Sequence, residues 1–303
     1  MEYKTVIQIS EEWNITPRAV RNYCNAGKIN GAQKIGKIWL IPSGAVAPKR
    51  VSKKDLLSVL KNELEDQTKN GIYHGLQVDS AYNTTSLDGC NVTREQVRYM
   101  FDTKTLPKAS EAILIDDLIE INNHFKCVNY IIKTAKKPLK EAYIRKLFCS
   151  LENATEIWEN NLTTHMPYRK KDIVFNEVHG AEPEEIEEKL KKLFNEYEEK
   201  IRIAAKNKEK IGLDELLELL HGFMMIAPFD KANGKIGRLI LLKECLRNEI
   251  VPFLIESDMK IFYDRGVVKW KEEPSILRNA VLVAQDKFRT YLDYFKIKYK
   301  KQK

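Results

Sequence analysis

The chain has 303 residues, 43% hydrophobic and 31% charged, enough for about two domains of the usual ~150 residues. No run approaches the ~20 continuous apolar residues that cross a bilayer, and the start, MEYKTVIQISEEW, carries Glu2, Glu11 and Glu12 where a secretion signal needs an apolar core. The five cysteines are scattered without CxxC spacing, which argues against a disulfide framework or a zinc site and for a soluble cytoplasmic protein with reduced thiols and no membrane partner. The net charge of +8 is uneven: residues 1–50 hold eight basic side chains against three acidic ones, and the tail KIKYKKQK adds five lysines. The basic N-terminal block points to a polyanionic partner, and the lysine tail to a solvated end.

The first segment reads as a small helix-turn-helix with a wing. Val6, Ile7 and Ile9 lead into ISEEW, a short helix ending near Trp13, and Asn14-Ile15 makes the turn. Thr16 is a candidate N-cap, with Pro17 at the first helical position, where its missing N–H is harmless. The helix PRAVRNYCNAG ends at Gly27, suited to a left-handed cap. Its polar face offers Arg18, Arg21, Asn22 and Asn25, while Val20 and Tyr23 pack inward. INGAQKIGKIWLIP then alternates around Gly36 as a two-stranded wing tipped by Lys34 and Lys37. These residues resemble the MerR/excisionase type of winged helix-turn-helix, which implies double-stranded DNA as partner, with the second helix in the major groove and the wing on phosphate. A small basic domain that docks on protein would carry the same residues.

SGAVAPKRVSK reads as a linker, and from Lys54 onward the pattern is almost wholly helical. LLSVLKNELEDQ, IDDLIEINNHFKCVNYIIKTA and EEIEEKLKKLFNEYEEKIRIA all space apolar residues at i, i+3 and i+4, and Asp214 is a candidate cap for LDELLELLHGFMMI. The acids of EPEEIEEKLKK sit at a solvated helix start. Only MPYRKKDIVFNEVHG reads as a hairpin. His74, His124, His165 and His179 have no metal spacing, and His221 on an apolar face reads as a hydrogen-bonded core residue.

The run from His221 to Arg238, HGFMMIAPFDKANGKIGR, is an apolar helix, a Pro-Phe break, a loop around Asn233-Gly234 and a second helix. Ala232 and Gly234 let backbone N–H groups face into the loop, the second helix adds the positive end of its dipole, and Lys231, Lys235 and Arg238 converge there. Such a nest suits a phosphate, although a plain helix–loop–helix corner has the same composition.

APFDKANGKIGR resembles the Fic signature H-P-F-x-[D/E]-G-N-G-R-x-x-R, matching at Pro228, Phe229, Asn233, Gly234 and Arg238. In the helix before it Phe223 fits the family's HxxF, but Leu220 holds the histidine position and His221 comes one residue late. KECLRNEIVPFLIE, MKIFYDRG and AQDKFRTYLDYF downstream, and DDLIEINNHF upstream, extend the likeness to most of the chain. AYNTTSLDGCNVT resembles the family's [S/T]-x-x-x-E-[G/N] inhibitory helix through Thr84 and Gly89, with Asp88 in place of glutamate. The resemblance implies a mainly α fold: an α-helical Fic domain with a short β-hairpin flap over 55–303, preceded by the winged helix-turn-helix over 1–45 and a linker over 46–54.

It also implies an activity, transfer of AMP from ATP or another nucleotide donor onto a protein hydroxyl. The motif histidine would be the general base, the motif acid would hold Mg²⁺, and the glycine loop with its arginines would bind phosphate. Asn233, Gly234 and Arg238 keep their implied roles. Ala227 occupies the base position and has no proton acceptor, whether it arose by divergence or by replacement of a histidine; losing a general base typically costs ~10²–10⁴-fold in rate. Lys231 occupies the magnesium position and would repel the metal, with Asp230 one residue early. Lys235 replaces the first arginine, keeping the charge and losing the fork. The chain as written is therefore expected to be inactive or severely impaired as a nucleotidyltransferase, with metal-independent nucleotide binding. A DNA-binding regulator or antitoxin-like partner without catalysis is the alternative, and a homodimer is compatible with either. Asp88, one methylene short (roughly 1.5 Å), is expected to meet Arg238 weakly or not at all; otherwise Thr84 and Asp88 would only cap the helix VTREQVRYMF. The hairpin around Tyr168 to Val178 corresponds to the family's target-docking flap, which aligns a substrate strand by β-augmentation.

Overall fold

Two short capping motifs start the chain's fold. The structure, a computed structural model, describes residues 2–48, 55–106, 112–153 and 168–299, and the chain divides into two units, 1–53 and 54–303. In the first unit Thr5 and Gln8 form a reciprocal capping box that starts α1 (Val6–Glu12). Val6 and Ile7 are therefore helical rather than a lead-in to the helix. Thr16 Oγ1 accepts from the Ala19 N–H to cap α2 (Pro17–Asn25), and Gly27 follows with φ +65°. β2 (Gln33–Ile35) and β3 (Ile38–Pro42) pair antiparallel around Gly36 at φ +59°. β1 (Tyr3–Thr5) pairs with the other edge of β3; three residues are too few to show alternation, so the sequence gives no sign of it. Val6, Ile9, Val20, Cys24, Ile29 and Ile41 make the core, with Tyr23 partly buried against it. Arg18, Arg21, Asn22, Lys34 and Lys37 are all exposed.

The second unit is helical: α3 (Leu56–Glu65), α4 (Ile72–Leu87), α5 (Arg94–Thr103), α6 (Ile115–Thr134), α7 (Glu141–Leu151), α8 (Ile186–Lys206), α9 (Leu213–Ile226), α10 (Asn233–Asn248), α11 (Lys260–Val268) and α12 (Pro274–Tyr294). Helix makes up 62% of the structure. α9 and α10 lie in the main core, and α10 is buried on nearly every side, Ile236, Gly237 and Leu239 to Leu246 being interior. Two of those interior residues are charged. Lys243 is satisfied by Glu244 and by the Lys137 carbonyl (2.6 Å), and Glu244 accepts from the Tyr197 hydroxyl (2.9 Å), as buried charges require.

Two caps differ from the sequence reading. α9 starts at Gly212, whose N–H is met by the Glu215 carboxylate (2.9 Å). Asp214 is in the first turn instead, where it binds Arg278 in a two-pronged pair (2.8 and 2.7 Å). α5 is capped by Thr93 with Gln96, so Thr84 and Asp88 do not cap it; they end α4. The hairpin of β4 (Val174–Phe175) and β5 (Val178–His179) turns on Asn176 and Glu177, both at positive φ (46° and 66°), the two-residue turn whose twist suits antiparallel strands.

Candidate active site

The site is built where α9 stops. Ala227 takes the left-handed conformation (φ 46°) and donates its N–H to the Phe223 carbonyl (2.9 Å). Ala227 is 2% exposed, so its methyl group is shielded from solvent. Phe229 pins the loop by stacking on Phe148, with ring centroids 4.0 Å apart. Asn233 closes it: Oδ1 accepts from the Phe229 N–H (3.0 Å) and Nδ2 donates to the Phe229 carbonyl (2.7 Å). The buried Asn233 amide thus braces the loop. Ala232, at φ 63°, turns the chain into α10, whose first N–H groups face outward without intrahelical acceptors. Gly234 packs close to the guanidinium, since a Cβ there would lie 3.0 Å from Arg238 Nη1.

The expected cations are brought together, and two arrive already engaged. Arg238 Nη2 donates to the Thr84 carbonyl (3.1 Å) and reaches Asp88 Oδ1 at 3.4 Å. The Asp88 contact exists and is long, as its short side chain requires. Thr84 contributes its backbone, and Gly89 (φ 91°) ends α4 just beyond. Lys235 is ion-paired to Glu120 of α6 and lies 3.6 Å from Asp88. Burial works against its ammonium, but Glu120 and Asp88 outweigh that and hold its pKa above the usual lysine value. Lys231 and Asp230 are exposed, and Lys231 has no ion pair among the described residues. Lys231 stands at the position that aligns with the motif's acid, with the Asp230 carboxylate beside it. Among the described residues no three His, Cys, Asp or Glu side chains converge to hold a metal.

Two residues of the site, Glu120 and Arg169, were not singled out in the sequence, and a third, His124, was named there only as a histidine without metal spacing. His124, one turn beyond Glu120 along α6, is 1% exposed, and neither ring nitrogen has a hydrogen-bond partner among the described residues. It lines a small cavity of about 20 Å³ together with Ser80, Asn83, Thr84 and Arg238, whose Nε is also unpartnered among the described residues. Burial, then the charges of Arg238 and Lys235, push the His124 pKa down to about 3. The signal was there: Glu120, Asn123 and His124 place polar groups at i, i+3 and i+4 on one face of α6. Arg169, 2% exposed, ties the hairpin to the motif by donating to the carbonyls of Ala227 (2.7 Å), Lys171 (2.7 Å), Ile226 (3.2 Å) and Ala181. Nothing in YRKK distinguishes it from its basic neighbours. Leu220, in the HxxF position, is buried, and His221 Nδ1–H donates to the Val267 carbonyl (2.8 Å) on the far side of α9. His165 lies outside the described residues.

The structure is similar to a Fic domain containing signaling protein from Bacteroides thetaiotaomicron (TM-score 0.57, 18% identity, 78% of this chain and 91% of that one). It is also similar to Fic-1 from C. elegans (0.58, 12%, 79% and 71%) and to a Fic family protein from Desulfovibrio desulfuricans (0.54, 15%, 78% and 73%). The fold is that of Fic-domain proteins. No protein-family model matches the sequence, and no curated protein matches it significantly. On the Fic fold, the loop from Ala227 to Arg238 is the stretch that the sequence aligns with the Fic signature, with β4–β5 stitched to its first residues through Arg169 and through the Ala181 N–H on the Ile226 carbonyl (3.3 Å).

Proposed function

We propose that the chain is a Fic family protein of the AMP-transferring lineage whose loop binds nucleotide phosphate but which, as written, is inactive or severely impaired in transfer. The observation that carries this reading is the buried alanine methyl at position 227 beside a loop that keeps Asn233, Gly234 and Arg238. The α10 N-terminus and Arg238 are the groups that would take phosphate, β4–β5 would align a strand of the target protein, and nothing at position 227 would accept the target hydroxyl's proton. Lys231 would act on phosphate in place of a metal. Calorimetric titration with nucleotide tests this directly: binding survives EDTA and weakens at least about tenfold in Arg238→Ala, a loss of roughly 1.4 kcal/mol. Binding that vanishes with EDTA, or that ignores Arg238, sinks the reading.

A second reading is favoured by a separate observation, the exposed Arg18, Arg21, Asn22, Lys34 and Lys37 on the helix and hairpin of the first unit. There the chain is a winged helix-turn-helix regulator, and its Fic domain is a nucleotide-binding or interaction module.

A further inference from the structure

The charges around the loop are balanced before any ligand arrives. Lys235 and Arg238 face carboxylates, while Lys231 and its neighbour Asp230 are both exposed: Asp88 lies 3.4 Å from Arg238 and 3.6 Å from Lys235, Glu120 is paired to Lys235, and Glu152 at the end of α7 is fully buried and acts on Lys235 electrostatically. The Lys235–Glu120 pair is 12% and 13% exposed, so solvent screens it little and it is not easily given up to a ligand. What remains for an anion is the α10 N-terminus, worth about half a positive charge, with the exposed Lys231 and a partly committed Arg238. A metal-free triphosphate brings about four negative charges, and Lys231 stands where a compensating cation would need a carboxylate.

We infer that Glu120, through Lys235, sets the charge this loop accepts, and that its ligand presents a single phosphate group rather than a triphosphate. The inference rests on the nucleotide-binding reading above and gives it a ligand class. One phosphate fits the free N–H groups of α10 without displacing Glu120, whereas further phosphates would be placed against the carboxylates of Glu120 and Asp88. Glu120 is thus a specificity determinant that acts on the ligand through Lys235.

The test is calorimetry on the full chain in EDTA with AMP, ADP, ATP and inorganic phosphate. Affinity is expected to fall from AMP to ADP to ATP, by at least about tenfold overall (1.4 kcal/mol). Glu120→Gln, which keeps the side chain's shape, should narrow the AMP-to-ATP ratio about tenfold, and Asp88→Asn, at a more exposed residue, should narrow it in the same direction. Inorganic phosphate binding as well as AMP would support the charge limit and remove the nucleoside from the ligand. ATP binding more tightly than AMP, or an unchanged ratio in both folded variants, overturns the inference while leaving the nucleotide-binding reading in place. No binding of any of the four ligands ends both.

Discussion

Arg238 is held by a carbonyl of α4 at 3.1 Å and a carboxylate at 3.4 Å, and both compete with phosphate for its guanidinium. A longer acid at position 88 would close the second gap to a charge-assisted hydrogen bond. Asp88→Glu should therefore weaken nucleotide binding by between about tenfold and a hundredfold, and Asp88→Ala should strengthen it, since a hydrogen bond to a charged group contributes roughly 1.5–3 kcal/mol. His124 makes a second prediction. Its folded pKa, about 3, lies below the ordinary 6.5 of the unfolded chain. The unfolded state therefore takes up the proton first as pH falls. Stability from this group is fully present above pH 6.5 and is lost on the way down towards pH 3, by at most ~1.4 kcal/mol per unit. Urea unfolding at a series of pH values should show this slope, and His124→Leu should lack it. Asn233, Gly234 and Arg238 were legible because their neighbours in sequence are their neighbours in space. Glu120 was not, because its partner Lys235 is 115 positions away and only the fold joins them.

At the scale of elements, the loop depends on what anchors its two ends. Arg169 spans the hairpin and the end of α9 through four backbone carbonyls, which no uncharged side chain can satisfy at once. Arg169→Met should lower stability by about 3 kcal/mol or more and raise hydrogen exchange at Ile226 and Ala227; unchanged exchange there would mean the hairpin is held by other contacts. α11 and α12 cross at Gly266, where a Cβ would lie 2.6 Å from the Leu277 nitrogen and 2.7 Å from its Cα. Backbone cannot move aside as a side chain can, so Gly266→Ala should cost about 1–3 kcal/mol in denaturant unfolding. The long helices were legible from their apolar spacing, and the hairpin from its β-branched residues between turn formers. The start of α9 was misplaced because Glu215, reaching back to Gly212, serves as well as an aspartate at the cap. β1 was invisible because its pairing with β3 is set by residues nearly forty positions on.

For the whole molecule, the sequence reading of a mainly α Fic-type fold agrees with the structure, while the roles of the two units are proposals that solution measurements decide. If the first unit binds duplex DNA, affinity falls steeply with salt, and Arg18→Ala or Lys37→Ala each lower the logarithmic salt slope by about 1. A salt-independent or absent affinity would favour a protein-docking role for that unit. The central claim concerns position 227, and label transfer from radiolabelled ATP tests it most directly, with Ala227→His beside the chain as written at saturating nucleotide, with and without Mg²⁺. The histidine variant is expected to label protein at a rate at least ~10²-fold above the alanine chain. Equal labelling by the two proteins would contradict it, because the proton of the target hydroxyl would then be leaving by a route that does not involve position 227.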